Sequence, residues 1–317
     1  MMQHQYPYRA LTLFVSTILI SLGVLMHIPD RCMRRLDKAL YVVCTTSMLA
    51  DLVSHIGGHH VHVDCLMGPG VDPHTYRARE SDMHKLAQAD IIFYHGLHLE
   101  GKMAGMLERL QSKAQEVVIV ADAIPRDKLR FISDTDSVVD PHIWHDVTLW
   151  RLVQRYIGEI LASRDPDHAA DYSSFLREYD NHLCDLEVYI RDMVARIALH
   201  RRVLITAHDA FGYFGKAYGF QVVGLQGIST DSDIGLHDIT RVVDIIVKND
   251  ICALFVESLV SPRTIVAVQN AAQARGKSVA VGQELFADAL GTNISDACSY
   301  IDMMKHNINA LVCALGE

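Results

Sequence analysis

An α/β fold of two lobes, each a parallel four-stranded sheet flanked by helices and the two joined by one long rigid helix, is predicted by three observations. Short apolar runs of strand length alternate with helix-length segments in both halves of the 317-residue chain, the mark of a parallel sheet covered on both faces. An uninterrupted helical periodicity fills the middle. With 50% hydrophobic residues, the chain can bury more than one core.

The chain begins with a short polar segment whose strong charge is Arg9, followed by a nearly unbroken apolar run from Leu11 to Ile28. That is the pattern of an export signal. At roughly 18 residues the run is also long enough to span a bilayer, so a cleaved peptide and an uncleaved anchor are both open. Arg31, Arg34, Arg35 and Lys38 follow the run and oppose the usual positive-inside orientation. Cys32 follows Pro29-Asp30-Arg31, which lacks the small and aliphatic context of a lipid attachment site.

Four buried strands are expected at Leu40 to Met48, Val61 to Met67, Ile91 to Tyr94 and Val117 to Ala121. Four more are expected at Val203 to Ala207, Phe220 to Leu225, Ala253 to Val256 and Ser278 to Val281. Between the sets a helix opens with Asp165 as a capping side chain and Pro166 in the first turn. Its apolar positions run from Tyr172 through Tyr179, Leu183, Leu186 and Ile190 to Ile197 at helical spacing, with no glycine or proline inside. The organisation is therefore 1–38 signal peptide or anchor, 39–164 first lobe, 165–199 connecting helix and 200–317 second lobe. A stiff single connector predicts modest closure around whatever binds between the lobes.

A balance of 29 Lys+Arg against 38 Asp+Glu gives a formal charge of −9, with no basic stripe and interleaved aromatics, so nucleic acid is not an expected partner. The seven cysteines are scattered, with no C-x-x-C pair. Cys44, Cys65 and Cys252 sit in apolar strand-like runs, where cysteine acts as a small buried hydrophobe.

Asp-Pro-His occurs twice, as Asp72-Pro73-His74 and Asp140-Pro141-His142, each with an aromatic two residues on. Proline fixes its own φ and keeps the preceding aspartate extended, so each histidine leaves a stiff turn. Eighteen histidines are many for this length, and imidazole is the commonest metal ligand. In open parallel sheets ligands bind beyond the carboxyl ends of the strands. His74 follows the second predicted strand, His142 the fourth, His208 the fifth and Asp288 the eighth. Three neutral imidazoles and one carboxylate suit a single Zn²⁺, with Mn²⁺ or Fe²⁺ also accommodated through bidentate use of the aspartate. Glu257, at the end of the seventh strand, is placed to accept the far N–H of a ligand imidazole. Asp72, Asp140 and Asp209 could accept such an N–H in the same way or close Asx-type turns, and for Asp72 and Asp140 the turn is the favoured reading, the commoner role before proline.

At these residues the chain resembles the metal-specific solute-binding proteins of ABC importers for zinc and manganese, cluster A-I, the group that includes TroA, ZnuA and PsaA. The resemblance runs from about Leu40 almost to the C-terminus. It rests on Leu66-Met67-Gly68-Pro69-Gly70, Gly96-Leu97-His98-Leu99-Glu100, both Asp-Pro-His motifs, Thr206-Ala207-His208-Asp209-Ala210-Phe211-Gly212-Tyr213-Phe214, Gly224-Leu225-Gln226-Gly227-Ile228-Ser229 and Glu284-Leu285-Phe286-Ala287-Asp288. It implies a monomer at the periplasm or cell surface that hands a divalent ion to a membrane permease, with ligands at His74, His142, His208 and Asp288. Histidine at the third ligand position, with no long acidic histidine-rich loop, matches the zinc and dual zinc/manganese types.

An enzyme is not expected. Neither His-Glu-x-x-His nor a Gly-x-Ser-x-Gly elbow is present, and four protein ligands leave no open position for a reactive water. Haem- or siderophore-binding proteins of the same architecture are the alternative, and they would lack the inward quartet; adhesion has no support of its own. Alternation places His60 and His62 together on one exposed face, and His98 near the site without ligating. Binding should weaken below about pH 6.5, where free imidazole protonates, and release should draw His74 and His142 away from His208 and Asp288.

Overall fold

A computed structural model describes residues 39–111, 116–132, 138–231, 234–292 and 294–316. The predicted signal or anchor, its basic flank and Cys32 lie outside the described residues. Among those described, no helix is long and apolar enough to cross a membrane.

The first half alternates β1 (Leu40–Thr46), α1 (Ser47–Gly57), β2 (Val61–Met67), α2 (Glu80–Gln88), β3 (Ile91–Tyr94), α3 (Ala104–Gln111), β4 (Glu116–Ile119) and α4 (Val147–Arg164). Its sheet is parallel, in the order β2-β1-β3-β4. β1 stops at Thr46, two residues before its predicted end, because the Thr46 hydroxyl accepts the Leu49 N–H and starts α1.

The connector is α5 (Ala169–Val194), 26 residues long. Pro166–His168 forms a separate 3₁₀ turn before it. Asp165 does not cap the backbone as expected; its Oδ2 accepts from His168 Nδ1 and Tyr172 Oη, both at 2.7 Å. One buried stripe, Tyr172, Tyr179, Leu183, Leu186, Ile190, Met193 and Val194, packs into a single apolar cluster. That cluster also holds Val42 and Phe93 of the first half and Phe211 and Tyr300 of the second. The connector and both halves thus share one apolar core.

The second half contains β5 (Val203–Thr206), α6 (Gly212–Tyr218), β6 (Gln221–Gly224), α7 (Leu236–Lys248), β7 (Ala253–Leu254), α8 (Pro262–Ala274), β8 (Ala280–Val281) and α9 (Tyr300–Leu315). Its strands form two parallel pairs, β5-β6 and β7-β8. Phe255 N donates to Ile205 O at 2.9 Å and joins the pairs side by side. The last two strands are only two residues each, shorter than predicted, and a parallel bridge at Glu257 and Leu285 carries the pairing on toward the carboxyl edge.

Candidate metal centre

His74 and His142 enter from loops of the first half, and His208 and Asp288 from loops of the second. All four are buried. Asp72 Oδ1 accepts the His74 N–H at 2.9 Å and Asp140 Oδ1 accepts the His142 N–H at 3.0 Å, so each Asp-Pro-His closes the same Asx turn. His208 lies just beyond β5. Asp288 sits in a loop held by Asn307, which accepts from Phe286 N at 2.9 Å and donates to Phe286 O at 2.8 Å. It does not cap α9, whose N-terminus is capped by Ser299.

One ligand atom from each residue lies within 4.8 Å of all the others. His74 Nε2 is 3.2 Å from His142 Nε2 and 3.5 Å from Asp288 Oδ2. His142 Nε2 is 3.4 Å from Asp288 Oδ1, and His208 Nε2 is 3.1 Å from Asp288 Oδ2. A tetrahedron around zinc with bonds near 2.0–2.1 Å has edges of about 3.3 Å. These four separations lie near that edge, and the four side chains could hold one ion. His208 Nε2 and both Asp288 oxygens are buried without an aligned hydrogen bond, a costly state for polar atoms unless something else satisfies them.

Behind the ligands, charge fixes the rings. The structure puts Glu257 against His208, accepting from its backbone N at 2.9 Å and contacting its Nδ1. His142 Nδ1 donates to Asp140 Oδ1 at 2.7 Å. Burial raises the Asp140 carboxyl, but His142 and Arg130 outweigh burial and hold it below the ordinary range, so it is an ionised acceptor. That fixes the proton on His142 Nδ1 and aims Nε2 at the site. For Asp288, burial raises the carboxyl while His208 and His142 pull it well below the carboxylate range. For His208, burial lowers the imidazole, yet Glu257 and Asp288 hold it well above 6.5. Glu257 and Asp288 thus favour the protonated ring of His208.

Asp140 fills both roles that the sequence left open, closing the turn and accepting from the ring, and nothing in the local sequence separates it from Asp72. Other neighbours escaped sequence reasoning. Trp144 Nε1 at 2.8 Å and His145 Nε2 at 3.1 Å both donate to Ala287 O and fix the Asp288 loop from the other half. Burial first, and then the neighbouring His142, push His145 and His95 down to about 3, so both are neutral packing groups. His98 is exposed in a left-handed turn with φ 63°. His60 belongs to a 3₁₀ turn and stacks on His168, while His62 stacks on Tyr41, so the two do not share one face. The alternation starts only at Val61.

Residues 42–314 match the family described as "Zinc-uptake complex component A periplasmic". The manganese-binding lipoprotein MntA of Bacillus subtilis is 42% identical over 306 residues, covering 96% of this chain and 98% of that protein. The zinc-binding protein TroA of Treponema pallidum is 40% identical over 281 residues, 89% of this chain and 90% of that one. The solved structure of periplasmic zinc-binding TroA superposes with a TM-score of 0.84, covering 88% of this chain and 100% of that chain. The chain belongs to the family of the periplasmic component A of zinc-uptake complexes.

Proposed function

We propose that this protein is an extracytoplasmic solute-binding protein that captures one divalent transition-metal ion between two lobes and delivers it to the permease of an ABC importer. The ligands are His74, His142, His208 and Asp288, with Glu257 behind His208. The observation that carries the reading is the convergence of three imidazoles and one carboxylate, all buried, with one ligand atom of each within 4.8 Å of the others. Four protein ligands fill the coordination sphere, which suits capture and not catalysis.

Relatives named for zinc and for manganese support cargo of this class. A His₃Asp site holds Zn²⁺ more tightly than Mn²⁺ or Fe²⁺ in a simple titration, whichever ion is imported. Relatives named as lipoproteins and as periplasmic proteins support action outside the cytoplasm, with residues 1–38 as signal or tether. The lobes are 39–164 and 200–317, the connector is 165–199, and the chain works as a monomer.

The test is elemental mass spectrometry on the full chain purified without added metal, beside His142→Ala and His208→Ala. The parent should carry about one equivalent of zinc or manganese. Each variant should bind Zn²⁺ roughly 100-fold more weakly or worse, about one quarter of a four-ligand site's binding free energy. No stoichiometric metal in the parent, even after reloading, overturns the reading.

A further inference from the structure

Arg130–Ile132 and Val138–Asp140 belong to the first half but meet the second. Phe131 bridges Val139, and Asp140 N donates to Arg130 O at 2.9 Å, so the two stretches lie side by side. From there the Arg130 side chain reaches across. Its Nη1 donates to Asp140 Oδ2 at 2.7 Å and its Nη2 to Asp209 Oδ2 at 3.1 Å. Asp140 is the carboxylate that holds His142 Nδ1, and Asp209 is the residue after His208. One guanidinium therefore joins the support of a metal-site histidine in one half to the carboxylate of the residue after another in the other half.

Two further features show a place built for this side chain. Tyr213 Oη accepts from Arg130 N at 3.0 Å and donates to Asp140 O at 3.0 Å, so α6 is stapled to both stretches. Gly212 precedes Tyr213, and a Cβ there would come within 2.3 Å of Arg130 Nη1. Only glycine leaves the guanidinium its room at that point. Two carboxylates with no cation between them would repel each other across the lobe boundary, and Asp140 is fully buried, where an unbalanced charge is most costly. A planar fork with several donors serves two carboxylates at once in a way an ammonium does not.

We infer that Arg130 is a positioning residue for metal capture: it fixes His142 through Asp140 and locks that ligand's loop to the segment following His208, so that the two ligands keep their spacing before an ion arrives. The inference rests on the proposed metal site. Arg130 touches no metal; it acts through Asp140 and Asp209. Loss of such a supporting group lowers metal affinity by about 10–100-fold in comparable sites, and here the loss falls mainly on the release rate, because a loosened ligand pair lets go sooner.

The experiment uses the full chain with Arg130→Gln, Asp209→Asn and His142→Ala. Zn²⁺ release to an excess of chelator is followed by stopped flow, and histidine ring ¹⁵N spectra are recorded on the metal-free protein. Arg130→Gln should still bind one Zn²⁺, release it at least about tenfold faster, and show His142 losing its single Nδ1–H tautomer. Asp209→Asn should speed release in the same direction while keeping that tautomer, since Asp140 remains held. Parent-like release and an unchanged ring spectrum in Arg130→Gln overturn the inference. If Arg130→Gln does not fold, parent-like release in Asp209→Asn overturns it instead. Should His142→Ala hold Zn²⁺ as tightly as the parent, the metal site itself is misassigned, and that failure is distinct from failure of the bridge.

Discussion

Behind His142 and His208 stand buried carboxylates, Asp140 and Glu257, each in contact with the ring nitrogen that faces away from the site. His74 is mounted differently. Among the described residues its ring meets a carboxylate through Nε2 alone, at Asp288, and its place is set by the backbone turn at Asp72. Asp72 is itself tied across the cleft, since Thr230 Oγ1 donates to its Oδ2 at 2.6 Å. Nearby, Lys102 pairs with Asp231 at 2.6 Å on the exposed rim. Two of the proposed ligands are thus backed by buried carboxylates, and a third is placed by a turn and a polar tether. The first kind of support survives small movements of the lobes. The second depends on Thr230 staying beside Asp72, so if the proposed lobes part, the His74 side would yield first. Release would then begin with His74 alone, and His142 would stay with His208 across the Arg130 bridge.

The largest effect that sharpens this contrast is Glu257→Gln. It keeps the shape and removes the charge behind His208, and Zn²⁺ affinity should fall by roughly 10–100-fold. Asp72→Asn, on the other side, keeps an acceptor oxygen for the His74 turn and should cost distinctly less. Competition titration against a chelator measures both. Equal losses would erase the distinction between the two modes of support.

Protons give the next test, and its sign runs opposite for binding and for stability. His208 in the ion-free site is held well above 6.5 by Glu257 and Asp288 against the effect of burial. Protonated His208 therefore stabilises the metal-free fold fully below pH 6.5, and this contribution is lost as pH rises through the elevated value. Asp288, held well below 3.8, adds stability present above 3.8 and lost as pH falls through its depressed value. Zn²⁺ must displace the His208 proton, so affinity climbs with pH through the same window in which that part of the metal-free stability declines. The raised His208 value moves the expected onset of weakening above the free-imidazole figure of about 6.5. Calorimetric Zn²⁺ titrations in two buffers of different protonation enthalpy should show close to one proton released per ion at pH 7. No release would mean that His208 is already neutral.

His74 and His208 were legible because each follows a strand of four to seven residues with a clear apolar signature. His142 was legible from its repeated Asp-Pro-His motif, and Asp288 and Glu257 from apolar runs that extend past the two-residue ladders of β8 and β7. The supports that cross between the halves were not. Arg130 and Asp209 are 79 positions apart, and Trp144 and Ala287 are 143 apart; neither pair carries a local pattern. Asp72 and Asp140 have the same neighbours in sequence, yet only Asp140 meets a ring and a guanidinium, because the difference comes from what the second half brings to each. The two-residue strands β7 and β8 read longer in sequence because apolar character continues where the ladder has already ended.

The smallest effects belong to the rim, and they decide whether the His74 side is held as loosely as argued. Thr230→Val keeps the shape and removes the donor to Asp72. A hydrogen bond to a charged acceptor is worth about 1.5–3 kcal/mol when well sheltered. Asp72 also accepts from His74 N and from Thr75 Oγ1, so about 1 kcal/mol and a roughly fivefold faster release are expected. Lys102→Ala removes an ion pair whose side chains are 34% and 51% exposed. Solvent reduces such a pair to at most about 1 kcal/mol, and in ~1 M salt the variant should match the parent. Stopped-flow transfer of Zn²⁺ to a chelator at low and high salt separates the two contributions. A salt-independent release in Lys102→Ala faster than that of Glu257→Gln would reverse the ranking, with the rim and not the buried carboxylates holding the ion in place.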